Sequence, residues 1–162
     1  MKISIKNLLK VVLVVYLMGI LSGCGLIVST ASLDVPMEQI DKHITQSADL
    51  SDLKTGNFLK LKQFYGVTRE EVDEFTLYRA PSNIRADETV VIKVKDPAQV
   101  EIVKEKLIKR VDQKAVSFKD YLPEEYYLIE NYQMNVQGTY ILLTISKDAD
   151  SIVQAFQQSF KQ

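Results

Sequence analysis

The chain has 162 residues, with 20 Lys and Arg against 21 Asp and Glu, one His and one Cys. That length supports one ordinary domain with its own core, and a single cysteine excludes an internal disulfide framework. The near-neutral balance lacks the basic excess of a nucleic-acid-binding surface, and a lone His without clustered partners gives no metal-ligand spacing.

Met1 to Lys10 carries Lys2, Lys6 and Lys10 and no acid, and Val11 to Leu21 is almost wholly apolar. This is the order of a secretory signal. Leu21-Ser22-Gly23-Cys24 follows and resembles the lipobox of bacterial lipoproteins, in which a peptidase cleaves before a cysteine that carries diacylglycerol on its sulfur. An uncleaved membrane helix also fits, because Val11 to Val28 reaches 18 residues of low polarity. Gly19, Ser22, Gly23 and Gly25 interrupt that run and favour the lipid. Either anchor leaves the domain outside the membrane, since the lysines favour a cytoplasmic N-terminus. The expected division is a signal peptide over 1–23, a lipidated tether over 24–33 and a single domain over 34–162. Cleavage before Cys24 removes 23 residues, three of them lysines, and leaves 139 with 17 basic and 21 acidic side chains, a formal charge of −4.

Within the domain, Asp34 to Ser47 reads as a helix, with Pro36 in its first turn and Met37, Ile40 and Ile44 on one face. His43 lies one position off that stripe and is expected to be a partly exposed helix residue. A second helix is expected over Lys54 to Tyr65, ended by Gly66 in the left-handed conformation. Thr68-Arg69-Glu70-Glu71 has capping-box spacing and predicts a short turn. Glu74 to Arg79 alternates Phe75, Leu77 and Arg79 with Glu74, Thr76 and Tyr78. After Ala80-Pro81-Ser82-Asn83, the run Glu88 to Lys95 alternates Val90, Ile92 and Val94 with Thr89, Val91, Lys93 and Lys95. The lysines suggest that one face of this strand pair is solvated.

Asp96-Pro97 opens the next helix, with Val100, Val103, Leu107 and Val111 as its buried stripe. Glu101, Lys104, Glu105, Lys109 and Arg110 read as its solvated face. Ser117 to Tyr127 reads as a loop. Tyr132 to Gln137 and Tyr140 to Ser146 form a hairpin about Gly138, and a last helix over Asp148 to Phe160 buries Ile152, Phe156 and Phe160. The expected fold is α+β: an antiparallel sheet of about four strands, with the Pro97 and Asp148 helices packed on one face and two N-terminal helices preceding it.

Tyr65-Gly66, Tyr78-Arg79, Ala86-Asp87-Glu88 leading into Val90 to Asp96, Ser117 to Tyr121 with Pro123 and Tyr126, and Gly138-Thr139-Tyr140 together resemble a family of small bacterial lipoproteins, mostly Gram-positive, that carry a domain of unknown function. The resemblance spans about Pro36 to Phe160. It implies an extracytoplasmic lipoprotein address in the neighbourhood of envelope polysaccharide acylation, and it supplies no catalytic residue, substrate or cofactor.

The sequence contains no nucleophile elbow, phosphate loop or metal-ligand spacing. The expectation is therefore a membrane-anchored, non-catalytic accessory or binding module of the cell envelope, without cofactor or metal. It would be held to the membrane by a lipid on Cys24 and would take an envelope protein or polysaccharide as partner. Tyr121, Tyr126 and Tyr127 are the candidate partner-binding surface, because a tyrosine ring offers a stacking face and a polar tip. If that segment is extended, Tyr126 and Tyr127 point to opposite sides, with Tyr127 the more exposed and Tyr121 and Tyr126 packed on the core. The alternative is an envelope hydrolase or transferase using Asp120, Glu124 or Glu125, which requires a cleft with two converging carboxylates. Asp87 and Glu88, adjacent at the start of a strand, face opposite sides and suit a structural task better than a shared proton.

Overall fold

The computed structural model describes residues 34–161. The signal peptide expected over 1–23, the tether over 24–33 and the lipidation motif of Leu21, Ser22, Gly23 and Cys24 lie outside the described residues. Among the described residues, no helix is long and apolar enough to cross a membrane.

The elements in chain order are α1 (Met37–Ser47), β1 (Lys54–Thr55), α2 (Phe58–Tyr65), β2 (Val72–Arg79), β3 (Glu88–Val94), a 3-10 turn (Pro97–Gln99) continuing into α3 (Val100–Phe118), α4 (Pro123–Glu130), β4 (Gln133–Gln137), β5 (Tyr140–Ile145) and α5 (Ala149–Gln158). The strands form one sheet in the order β1-β2-β3-β5-β4, and every neighbouring pair is antiparallel. The α+β class thus stands, with five strands rather than about four and five α-helices rather than four among the described residues.

The capping chemistry behaves as its residue types dictate. Asn57 accepts from the Lys60 amide at 3.1 Å to start α2, and Gly66, at φ 67°, ends it by donating to the Lys62 carbonyl. Asp96 accepts from the Ala98 amide ahead of α3. In the turn after α2, Glu71 reaches back to the Thr68 amide at 2.8 Å, one half of a capping box.

Three expectations need correction. First, Lys54 to Gly56 is extended rather than helical. Lys54 and Thr55 pair with Arg79 and Tyr78, and Gly56 donates to the Leu77 carbonyl so closely that a Cβ there would lie 2.4 Å from Leu77 Cδ2. Second, the two long helices cover opposite faces of the sheet. Val90, Ile92, Ile141, Leu143 and Ile145 share a core with Leu61, Val103, Leu107 and Val111. Val91 and Leu142 share the other core with Ile40, Ile44, Ile152 and Phe156. The molecule is therefore three layers, with α2, α3 and α4 on one side and α1 and α5 on the other. The face marked by Lys93 is covered, and Lys93 reaches its rim to meet Asp34 at 2.8 Å and Asp73 at 3.1 Å. A strand buried on both faces reads as a continuous apolar run, which Val90-Val91-Ile92 and Ile141-Leu142-Leu143 are. Third, the segment expected as a loop over Ser117 to Tyr127 is mostly helical: α3 runs through Phe118, and Pro123 opens α4 with Glu124 and Glu125 in its first turn.

Candidate functional site

Alternation along β2 sends Leu77 and Arg79 to the α3 side, and alternation along β3 sends Glu88, Val90 and Ile92 there too. Arg79 and Glu88 are direct register partners at the end of this strand pair. Above them runs α3, whose apolar stripe of Val103, Leu107 and Val111 continues at helical spacing to Lys114 and Phe118. A lysine thus occupies a core-facing position, and Arg110 stands one turn before it on the side toward the strands.

The Glu88 side chain is 1 % exposed and accepts from four donors: Tyr65 OH at 2.5 Å, Arg110 Nε at 3.1 Å, Arg110 Nη2 at 2.9 Å and Lys114 Nζ at 3.0 Å. Lys114 also donates to the Ala86 carbonyl, and the Ala86 amide donates to Glu125 of α4 at 2.5 Å. Burial alone would raise the Glu88 pKa, but the Arg110 hydrogen bonds and the Lys114 and Arg110 charges outweigh it and hold the carboxyl below its ordinary range. Burial, reinforced by the Glu88 charge, pushes the Tyr65 hydroxyl well up. Burial lowers the Lys114 ammonium against the pull of Glu88.

Next to this network lies a cavity of about 550 Å³ between β2, β3 and α3. Arg79, Arg110, Lys114 and Glu88 line it, and Ser82, Asn83, Gln113 and Ser117 stand around them. The guanidinium groups of Arg79 and Arg110 each lie 4.7 Å from the centroid of the Phe64 ring, which holds both of them at this end of the sheet. Arg85, also at the cavity, is paired with Asp87 at 3.0 Å. Among the described residues Arg79 has no carboxylate within ion-pair distance. The result is a preformed cationic cavity on a domain whose overall charge is negative.

The reading of Arg110 as part of a solvated helix face is thereby corrected: its side chain is 17 % exposed and spends two donors on Glu88. Glu88 takes the structural task expected of it at the start of β3. The tyrosines are arranged differently from their extended reading. Tyr126 and Tyr127 are successive helix positions of α4, about 100° apart, so Tyr127 is exposed at 64 % while Tyr126 packs at the margin of the core. Tyr121, expected to pack, is 82 % exposed in the turn after α3, three residues beyond Phe118 of the cavity wall. Asp120 and Glu124 are exposed, and Glu125 is committed to the Ala86 amide. None of the three lines the cavity, whose single carboxylate is Glu88. His43 is half-buried, with Nδ1 2.8 Å from Ser159 Oγ.

The cavity residues escaped sequence reasoning because its three parts are remote in the chain, yet two signals were present. Lys114 sits on an apolar stripe, where a cation needs a buried acid. Tyr65, Arg79, Ala86 and Glu88, all among the residues that carry the family resemblance, converge here.

The family model of a domain of unknown function, DUF4358, matches residues 46–146. That span contains every strand of the described residues and all the residues of the cationic cavity, and it stops before α5. No curated protein and no solved structure matches the chain.

Proposed function

The chain belongs to the DUF4358 family, a domain of unknown function, and from that premise we propose that it is a non-catalytic binding module of the cell envelope that holds an anionic group of its partner in the cavity between β2, β3 and α3. In this reading a lipid on Cys24 keeps the domain at the outer face of the membrane, where the partner is an envelope polymer or protein. The supporting observation is the Arg79 guanidinium, which among the described residues has no carboxylate within ion-pair distance and is held on Phe64 at a concave site that Arg110 also lines. A planar fork that is already immobilised loses little entropy when it takes an oxyanion. The enzyme reading has less support, because the only carboxylate lining the cavity is saturated by donors and held in its ionised form.

The test is calorimetric titration of the full chain in a neutral detergent with sulfate, citrate and inorganic phosphate. At least one should bind with a dissociation constant in the millimolar range or tighter, and Arg79→Ala should weaken it about tenfold or more at an unchanged melting temperature. Absence of binding by all three would discard the cavity as an anion site.

A further inference from the structure

We infer that the group held in this cavity is a phosphate monoester on a small hydroxylated carbon skeleton, a polyol or sugar phosphate. This inference rests on the anion-binding reading of the cavity and replaces its polymer or protein partner by a small phosphorylated molecule.

Charge decides first between anions. Three cations, Arg79, Arg110 and Lys114, face the one carboxylate of Glu88, while Arg85 is neutralised by Asp87. The site therefore has a formal excess of two positive charges. A carboxylate or a phosphodiester supplies one negative charge and leaves one positive charge of the site unbalanced. A phosphate monoester carries about −1.5 to −2 near neutral pH, with three acceptor oxygens, and balances both. The donors are available for it: Arg110 uses Nε and Nη2 on Glu88, which leaves Nη1, and Arg79 gives only Nη1 to the Ala80 carbonyl at 3.5 Å and, among the described residues, no donor to a carboxylate. Two guanidinium groups that line one cavity and are each held on Phe64 offer planar N–H donors of the kind that bind phosphoryl oxygens.

The surroundings of those cations then select the rest of the molecule. Ser82, Asn83, Gln113 and Ser117 present neutral donors and acceptors at the cavity, which is the chemistry that recognises hydroxyl groups. A nucleobase would need a free aromatic face. Phe64 is already engaged by Arg79 and Arg110, and Phe118 is buried in the core. A long polyanion is disfavoured because 34–162 carries 21 acids against 17 bases, so charge beyond the cavity repels it. A volume of about 550 Å³ lies within the usual range for a small-molecule site of ~300–1,000 Å³.

The same chemistry can arrive as a soluble metabolite or as the exposed phosphate of a lipid headgroup, and the experiment separates them. Calorimetry and phosphorus NMR on the full chain in neutral detergent would compare glycerol 3-phosphate with lactate, sulfate and inorganic phosphate. Glycerol 3-phosphate should bind about tenfold or more tighter than lactate and several-fold tighter than inorganic phosphate. Its affinity should fall several-fold from pH 7.5 to pH 5.5 as the monoester gains a proton near pH ~6, while sulfate affinity stays level. Arg79→Lys, which keeps the charge and loses the fork, should weaken glycerol 3-phosphate binding, and Asn83→Ala, at an exposed position, should narrow its advantage over inorganic phosphate. Asn83→Ala covers the case in which a change at Arg79 disturbs folding. In a parallel arm, phosphatidylcholine vesicles with and without phosphatidic acid would be tested for Arg79-dependent retention, which assigns the phosphate to a lipid source; retention equal in both vesicles with tight glycerol 3-phosphate binding assigns a soluble one. If sulfate and lactate bind as tightly as glycerol 3-phosphate, the anion site stands and the monoester inference is overturned. If no anion binds, both fall together.

Discussion

Replacing Glu88 by Gln keeps the volume at the head of β3 and removes one charge from beneath α3, which makes it the sharpest probe of how this site is held. The wild-type carboxylate is 1 % exposed, Lys114 is 8 % exposed and Arg110 is 17 % exposed, so little water can compensate the cations left behind. Breaking one side of such a buried network costs roughly 3–5 kcal/mol, a large part of the ~5–15 kcal/mol that stabilises a domain. At about 3–4 °C per kcal/mol for a chain of this size, the melting temperature should fall by roughly 10–20 °C. Glu101→Gln is the control. Its carboxylate meets Lys104 at 2.8 Å but is 75 % exposed, so its loss should cost under about 1 kcal/mol. The pH dependence adds an independent check. Glu88 titrates lower in the folded state than when unfolded, so its stabilisation is fully present above the unfolded carboxylate value near ~4.3 and is lost as pH falls through the folded value. The gap between wild type and Glu88→Gln should therefore be constant from pH 7 to 5 and close toward acid. Thermal unfolding followed by circular dichroism at pH 7, 5, 4 and 3 measures both. A Glu88→Gln protein within about 0.5 kcal/mol of the parent at pH 7, or a gap that persists unchanged at pH 3, would refute the buried-network argument.

Two further outcomes test the layers and the anchor. Leu107→Ala, in the core between α3 and the sheet, and Phe156→Ala, in the core under α5, should cost about 2–5 and 3–5 kcal/mol. Because the sheet separates them, the double variant should be additive within about 0.5 kcal/mol in denaturant titration; strong coupling would mean that the two cores are one. Cys24→Ala should abolish incorporation of a fatty-acid analogue and leave the uncleaved precursor in the membrane fraction, while unchanged labelling of the variant would remove the lipid from the reading of Leu21-Ser22-Gly23-Cys24.

The elements whose stability is local were legible. Met37, Ile40 and Ile44 on α1, the Gly66 stop, the Asp96-Pro97 start and the Gly138 turn each rest on a few adjacent residues, and the structure has all of them. β1 was not legible, because two residues become a strand only through pairing with Arg79 and Tyr78, at a separation of more than twenty positions. α4 was missed for a different reason. The aromatic and acidic run Glu124-Glu125-Tyr126-Tyr127 drew attention as a surface, while the Pro123 that starts a helix and the acids that favour its first turn were already in place. Tyr127 came out more exposed than Tyr126, but from a helical rotation and not from strand alternation.

The layer assignment shows why the site stayed hidden. Alternation in β3 alone makes Lys93 an outward marker, which leaves one face solvated and puts both long helices on the other. Lysine can lie along a covered face and bring its ammonium to the rim, where Lys93 finds Asp34 and Asp73. Once α5 is moved to that face, α3 has the opposite side to itself and shares it with α2 and α4. The end of β2 and the beginning of β3 then lie open beside Arg110 and Lys114. Burying Glu88 there is tolerable only because two cations and a tyrosine hydroxyl converge on it, and holding Arg79 against Phe64 is what leaves a guanidinium facing the cavity. A cation on an apolar stripe, Lys114, was the one mark of this arrangement that a helical wheel could have shown, since burial of an ammonium implies an acid brought to it from elsewhere in the chain.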